Sequence, residues 1–552
     1  MLSLDPQDLY REIVAAEKER DKHLTKVEDQ VAQYHGPAWA ANNQDYPENH
    51  GYEFASLVLP KMAYHNPEVS VTSRLYTLDA ESAAAVIEQG LSSWIRRSHF
   101  RKLSQQIALD EMFAFGATVV NRRGQYGVGP GATRIPWRWF GMDHLANHWE
   151  GEPRFYFRKW VIDKDDLKRM AEAAPPEEGW NKEEIDNLSE DAGTDDLGEA
   201  WKDAPKRKQC VIYDVYLCNH RLPESKGPDA GYNGTIVRLG VQRKSDGPTA
   251  GIVGKPRPWW GHPKGPFTVF GVHAVPNSCW PLGPITANQG QIDALNERSR
   301  SIQKANRAYK KLVLVDAINT KLIEDLKNKP DLFVVPVQGL KKDGVIQYEI
   351  GGASPQQLED YAMLRERLDR NSGMTDAQRG NVTGQGTARE VMIAADAATA
   401  RMDYTAQQHA DGCTAMLEKV AWYLLNDESI EFPLDREAVE ALEEMDMPGI
   451  KVFRGGSFKG IKFEDLELSI DVFSMARVNE MMAQRRALEK TNLLAQLAPV
   501  MASTPWVNWQ KAMQSLGNAM NDPTYADILD TEKLSQGQDM VKQMAIQGGS
   551  GA

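Results

Sequence analysis

A chain of 552 residues is too long for one simple core and predicts two to four domains. With 41% hydrophobic and 26% charged residues it reads as a soluble globular protein. No apolar run approaches the roughly eighteen residues of a membrane helix, and no basic leader precedes an apolar block at the N-terminus. A net charge of −13 argues against a protein that coats nucleic acid, though not against one that meets DNA through a local basic patch. Cys210, Cys218, Cys279 and Cys413 form no CxxC pair, which argues against structural zinc or a disulfide framework.

In chain order, Asp5 to Tyr34 predicts a helix. Asp5 can cap it, Pro6 suits the first helical position, and Leu9, Ile13, Ala16, Leu24, Val27 and Val31 form a partial apolar stripe. A polar aromatic loop is expected around Trp39, Tyr46 and Tyr52. Two more helices are expected from Ala80 to Phe115, broken near Ser98-His99. They are lined by Val86, Ile87, Leu91, Trp94 and Ile95, then by Leu103, Ile107 and Met112. Ala117 to Val120 reads as a strand. The glycines at 124, 127, 129 and 131 have the wrong spacing for a phosphate-binding loop and suit a hairpin.

An aromatic strand pair is expected at Arg134–Met142 and Arg154–Ile162. His144 and His148, with Asp143 beside them, have a spacing that could hold a metal on a helix. No third ligand is evident, however, and Gly151-Glu152-Pro153 suggests a turn. Asp165 to Trp201 is acidic and predicts an exposed helix with a flexible insertion. Strands are expected at Cys210–Leu217, Ile236–Val241 and Phe267–Val275, the last two within a Gly/Pro-rich region reaching Pro284. Lys255 follows Gly254, but Thr249 stands where a Walker A loop needs glycine, so no P-loop is expected.

The central stretch, Gly283 to Leu425, is the most informative. A basic helical segment is expected from Ile285 to Lys311. From Gln291 to Lys311 it carries six basic and two acidic residues, clustered so that the cations favour the helix C-terminus. On one copy this reads as a solvated face. Three short apolar runs follow, Leu312–Val315, Phe333–Val337 and Val345–Ile350. A second helix is expected from Ser354 to Arg370, where Ser354 can cap, Pro355 fits the first turn and Gln357 can complete a capping box. Residues 374–385 form a polar glycine-rich loop offering Gln378, Arg379, Asn381, Thr383 and Gln385, groups suited to a phosphate backbone. A long alanine-rich helix runs from Thr387 to Leu425, a span of about 58 Å. Its stripe is Val391, Ala395, Ala398, Met402, Ala406, His409, Cys413, Met416, Val420 and Leu424, with His409 read as a packed histidine. Residues 476–543 are helical in pattern and Met-rich, which suits core or subunit contact.

The order of these elements resembles the portal (head–tail connector) proteins of tailed bacteriophages. Three passages carry the likeness: PLGPITANQGQIDALNERSRS (281–301) before KLVLVD (311–316), VIQYEIGGASPQQLEDYAMLRERLD (345–369), and GNVTGQGTAREVMIAADAA (380–398). A weaker likeness lies in IPWRWFGMD (135–143) and the charged segment after Lys159.

The resemblance implies an α+β, portal-type fold with a mixed α/β wing, a two-helix stem, a small β-containing clip, a long spine helix and a helical C-terminal crown. Residues 1–283 and 426–474 would be wing, 284–310 and 354–372 the stem helices, and 311–353 the clip. Residues 373–386 would be the tunnel loop, 387–425 the spine, and 475–552 the crown with a flexible tail. It further implies a virion protein assembled in the host cytoplasm, a ring, usually a dodecamer, around a channel for non-specific passage of double-stranded DNA. Expected partners are the large terminase subunit, tail adaptor and head-completion proteins, and the major capsid and scaffolding proteins. No membrane, cofactor, metal or catalytic residue is expected. Repetition around a ring would turn a modest basic patch, with Lys304, Arg307, Lys310 and Lys311 facing the channel, into a belt. The acidic remainder would limit grip on DNA. The alternatives are a carboxylate-dependent hydrolase or lyase built on Asp143, Glu150 and nearby tryptophans, and another capsid or tail component.

Overall fold

The structure is a computed structural model of the chain. It describes residues 4–35, 48–123, 129–174, 179–190, 209–220, 222, 234–244, 247–317, 320–327, 332–338, 345–372, 388–445, 447, 449–458 and 460–475. Its architecture is mixed α+β with several separate sheets. The loop at 373–386 and, apart from Met475, the segment assigned to the crown lie outside the described residues.

Helix α1 (Pro6–His35) begins where expected. The Asp5 carboxylate accepts from the Gln7 and Asp8 amides at 2.8 and 3.3 Å, and Leu9, Ile13, Ala16, Leu24 and Val27 are buried along one side. Next come α2 (His50–Met62), which takes in Tyr52 of the expected aromatic loop while Trp39 and Tyr46 lie outside the described residues, and β1 (Glu68–Ser73). The Asn49 side chain caps α2 by accepting from Tyr52 N at 3.0 Å, and Pro60, inside the helix, gives up the amide bond that another residue there would make to the Ser56 carbonyl. Helices α3 (Leu78–Arg97) and α4 (Phe100–Phe113) break at His99, which adopts φ +53° between them.

The next strands are β2 (Gly116–Asn121), β3 (Gly131–Arg134), β4 (Phe140–Met142) and β5 (Phe155–Asp163). Two short helices follow, α5 (Lys164–Ala173) and α6 (Lys182–Asp186), then β6 (Gln209–Leu217), β7 (Thr235–Lys244), β8 (Gly247–Pro258) and β9 (Phe267–Phe270). They form two antiparallel sheets, ordered β3-β2-β9 and β4-β5-β6-β7-β8. Arg134–Met142 is therefore not one strand. Pro136 starts a 3-10 turn at Trp137–Trp139, so β3 and β4 fall in different sheets. The twelve-residue β8 is unexpected in a Gly/Pro-rich stretch. It lies at the sheet edge, where proline costs no ladder bond, and register shifts near Arg238 absorb its irregularity.

The central stretch gives α7 (Pro284–Ala287), α8 (Gln289–Arg307), β10 (Lys310–Asp316), α9 (Thr320–Lys327), β11 (Leu332–Val337), β12 (Val345–Ile350), α10 (Pro355–Ser372) and α11 (Ala388–Asn426). After it come β13 (Glu431–Pro433), α12 (Arg436–Glu444), β14 (Val452–Arg454) and β15 (Leu466–Asp471), which pairs antiparallel with β1 and so returns the chain to its first hundred residues. The second half of α11 is core. Met402, Ala406, His409, Cys413, Met416, Val420 and Leu424 are all buried, against α2, α3, β9 and β15. Among the described residues no helix is long and apolar enough to cross a membrane.

Candidate nucleic-acid interface

The candidate site is the pair α8 and α10 with the three-stranded sheet they carry. That sheet has the order β11-β10-β12, with β10 parallel to β11 and antiparallel to β12. Each expected apolar run forms one of its strands, and Val313, Val315 and Ile323 of α9 make a small core of their own. A separate core lets the sheet sit away from the body without drawing on the main core.

The two helices run antiparallel. Near their far ends Gly352 N donates to Ala305 O at 2.9 Å and Ala353 N to Asn306 Oδ1 at 3.1 Å; nearer the body Arg298 Nη2 meets Asp360 Oδ2 at 2.9 Å. The chain turns from β12 into α10 through Gly351 and Gly352, both at positive φ (86° and 90°), a backbone few other residues adopt. A Cβ on Gly351 would stand 2.6 Å from the Ala308 carbonyl oxygen. Helix α10 then opens on the expected capping box. Gln357 N donates to Ser354 Oγ at 3.2 Å, and Ser354 N to Gln357 Oε1 at 3.0 Å. At the body end, Ile292, Leu295 and Asn296 of α8 and Leu368 of α10 are buried, and Tyr361 OH bonds Glu48. The pair is a strut rooted in the body, with its sheet at the far end.

The basic run is divided differently from the sequence expectation. The helix does not continue from Ile285 to Lys311. Asn288 separates α7 from α8, and α8 ends at Arg307. Lys310 and Lys311 are the first residues of β10, opposite Ile350 and Glu349 of β12, so they are not helical stem residues. Arg298 is engaged by Asp360. Lys304 and Arg307 are exposed on the last turn of α8, where the helix dipole favours cations. Gln378, Arg379, Asn381, Thr383 and Gln385 lie outside the described residues.

The residues of the hydrolytic and metal alternatives lie after β4 and in the turn that follows it. The stretch after β4 is turns rather than helix. Asp143, 2% exposed, is held by Arg154 at 2.5 and 3.0 Å, and His148 stacks on Trp149. Burial would raise the Asp143 carboxyl, but the hydrogen bonds from Arg154 outweigh it and hold the pKa below the usual range. No group of three metal-ligating side chains occurs among the described residues. Glu150 lines a groove of about 480 Å³ beside α11, with Trp149, Lys264, Tyr404, Asp411 and Glu418, whereas Asp143 does not.

One constellation was not visible in the sequence. His409 Nε2 lies 2.8 Å from Ser104 Oγ and its Nδ1 lies 3.1 Å from both Glu111 oxygens, with Cys413 Sγ at 3.6 Å. This is the atom order of a serine nucleophile with its base and orienting acid. Ser104, Glu111 and His409 are each 0% exposed, and the groove beside α11 is lined by Gln408, Asp411 and Gly412 but not by His409. Buried this way, the group ties α11 to α4. Burial opposes a charge on His409, but the facing Cys413 and Glu111 outweigh it and keep its pKa well above 6.5. Ten residues on, Lys419 Nζ, also buried, donates to Phe267 O at 2.6 Å and Thr268 Oγ1 at 2.5 Å. No protein-family model matches the chain, and no curated protein matches it.

Proposed function

We propose that the chain is one subunit of a closed ring that conducts double-stranded DNA through a virus capsid vertex, as the portal proteins of tailed bacteriophages do. The observation that carries this reading is the order of elements between 284 and 426: a helix, a β module with its own core, an antiparallel partner helix, and a 39-residue helix whose second half is core. A conduit needs a rigid wall, a docking module held clear of the body and a member that fixes both to the rest of the subunit. It needs no reacting groups.

In this reading 284–310 and 354–372 are stem and 311–353 is the clip that docks the large terminase subunit and later the tail adaptors. Residues 373–386 are the tunnel loop and 387–425 the spine. Residues 1–283 and 426–474 are wing, and 475–552 are crown. Contact with DNA is electrostatic and indifferent to base sequence, carried by Lys304 and Arg307 and by the loop groups from Gln378 to Gln385. The subunit is not an enzyme. Negative-stain electron microscopy of the purified chain tests the proposal: closed rings with a central channel are expected, and monomers or dimers at every concentration overturn it.

A further inference from the structure

The groove beside α11 runs along the outer edge of β9, and the strand ladder determines what that edge offers. Val120 N donates to Pro266 O at 2.9 Å and Ile135 N to Ala117 O at 2.8 Å, so β2 bonds β9 through one set of alternate residues and β3 through the other. With Thr118 opposite Thr268 and Ala117 opposite Val269, Val269 turns its N–H and C=O away from β2. No other strand pairs with β9 among the described residues. The outer edge is closed at one end, where Lys419 Nζ donates to Phe267 O at 2.6 Å. It is closed at the other by His273 and Leu282, which exchange backbone bonds of 3.3 and 2.9 Å. Between these closures Val269 and Gly271 line the groove.

We infer that this groove docks a basic, extended peptide segment of a partner protein, which adds to β9 as a further strand. Helix α11 borders the groove with Gly412 and Ala415, small residues that leave room for a strand's side chains. Trp149 also lines it, with His148 stacked on its ring at 4.1 Å. A strand lies about 4.7–4.9 Å from its neighbour and suits such a slot. An α-helix, about 10–12 Å across, would fill the groove's volume of about 480 Å³ within roughly one turn. Charge selects the partner. Lys264 is engaged 3.6 Å from Glu418, whereas Glu150 and Asp411, both exposed, pair with no cation among the described residues. Lysine or arginine flanking the added strand supplies the missing cations, and a chain of net charge −13 draws such a segment in. The whole groove belongs to one copy, so the inference does not depend on the conduit reading.

Fluorescence anisotropy of a fluorescein-labelled Lys-Val-Thr-Val-Lys amide, titrated with the full chain, tests this. Saturable binding with a Kd below about 1 mM is expected. Replacing both peptide lysines by glutamate, or methylating the three inner peptide nitrogens, should each weaken binding by about tenfold or more. On the protein, Val269→Pro removes an outward N–H while sparing the bonds to β2, and should abolish binding. Glu150→Gln with Asp411→Asn changes exposed side chains alone, and should weaken the basic peptide by about tenfold and flatten its salt dependence. No saturable binding, equal binding of the acidic or the methylated peptide, or unchanged affinity in the carboxamide variant overturns the inference. Binding by separated subunits but not by the assembled chain means that a second copy fills the groove, and overturns it as well.

Discussion

Lys419 offers a sharp test of how the long helix is held. The residue is 4% exposed, and its amine faces a backbone carbonyl and a hydroxyl rather than a carboxylate. Burial, with help from the charge of Lys264, lowers its pKa from 10.5 to about 7. At about 1.36 kcal/mol per pH unit, that drop makes the buried ammonium cost roughly 5 kcal/mol wherever both folded and unfolded chains are protonated. The sign follows from the depressed folded value. The lysine's contribution is most favourable above the unfolded pKa, declines as pH falls toward about 7, and is flat below. Lys419→Met removes the charge but leaves the Phe267 carbonyl and Thr268 hydroxyl unpaired, at about 1–3 kcal/mol for each group. At about pH 6 the variant should therefore lie between roughly 1 kcal/mol below and roughly 3 kcal/mol above the parent, and by about pH 9, where the parent has regained roughly 3 kcal/mol, it should be the less stable or at best equal. Denaturant midpoints at the two pH values, read by the fluorescence of Trp422 and Trp260, whose rings lie 5.1 Å apart, give the comparison. If the difference between variant and parent is the same at both pH values, the ammonium is not desolvated as described.

Other changes probe the lock and the strut. Glu111→Gln removes one partner of a buried ion pair and should cost about 3–5 kcal/mol. Because the folded His409 pKa is raised, the loss should be largest below its unfolded value of about 6.5 and shrink as pH rises through the folded one, which parallel denaturation series would read. Gly351→Ala forces a side chain into φ +86° against the Ala308 carbonyl and should cost about 1–3 kcal/mol. Hydrogen exchange should rise in 345–358 and stay unchanged in 402–426. Lys304→Gln with Arg307→Gln should lower the slope of DNA retention against log salt by up to about 0.9 for each phosphate no longer neutralised. An unchanged slope would make both a solvated face.

What the sequence made legible is what local chemistry controls. The Asp5 cap, the Ser354–Gln357 box and the stripe from Met402 to Leu424 each depend on residues within a few turns of one another, and each stands where the spacing puts it. Elements decided by distant partners were hidden. Strand β8 exists because β7 offers an edge, and β1 because β15 returns almost four hundred residues later. The lock around His409 joins positions about three hundred residues apart, so the stripe marks His409 as packed but not what it packs against. The basic run fails for the same reason. Counting along the sequence puts six cations in one helical segment, but the backbone leaves the helix before Lys310, and Asp360, on the neighbouring helix, engages Arg298. Of the four stem cations assigned to DNA, Lys304 and Arg307 remain exposed on α8, too few for a single copy to hold a phosphate backbone against a chain of net charge −13. Their weight depends on how many copies face one another, so the oligomeric state decides whether these two cations act on DNA at all.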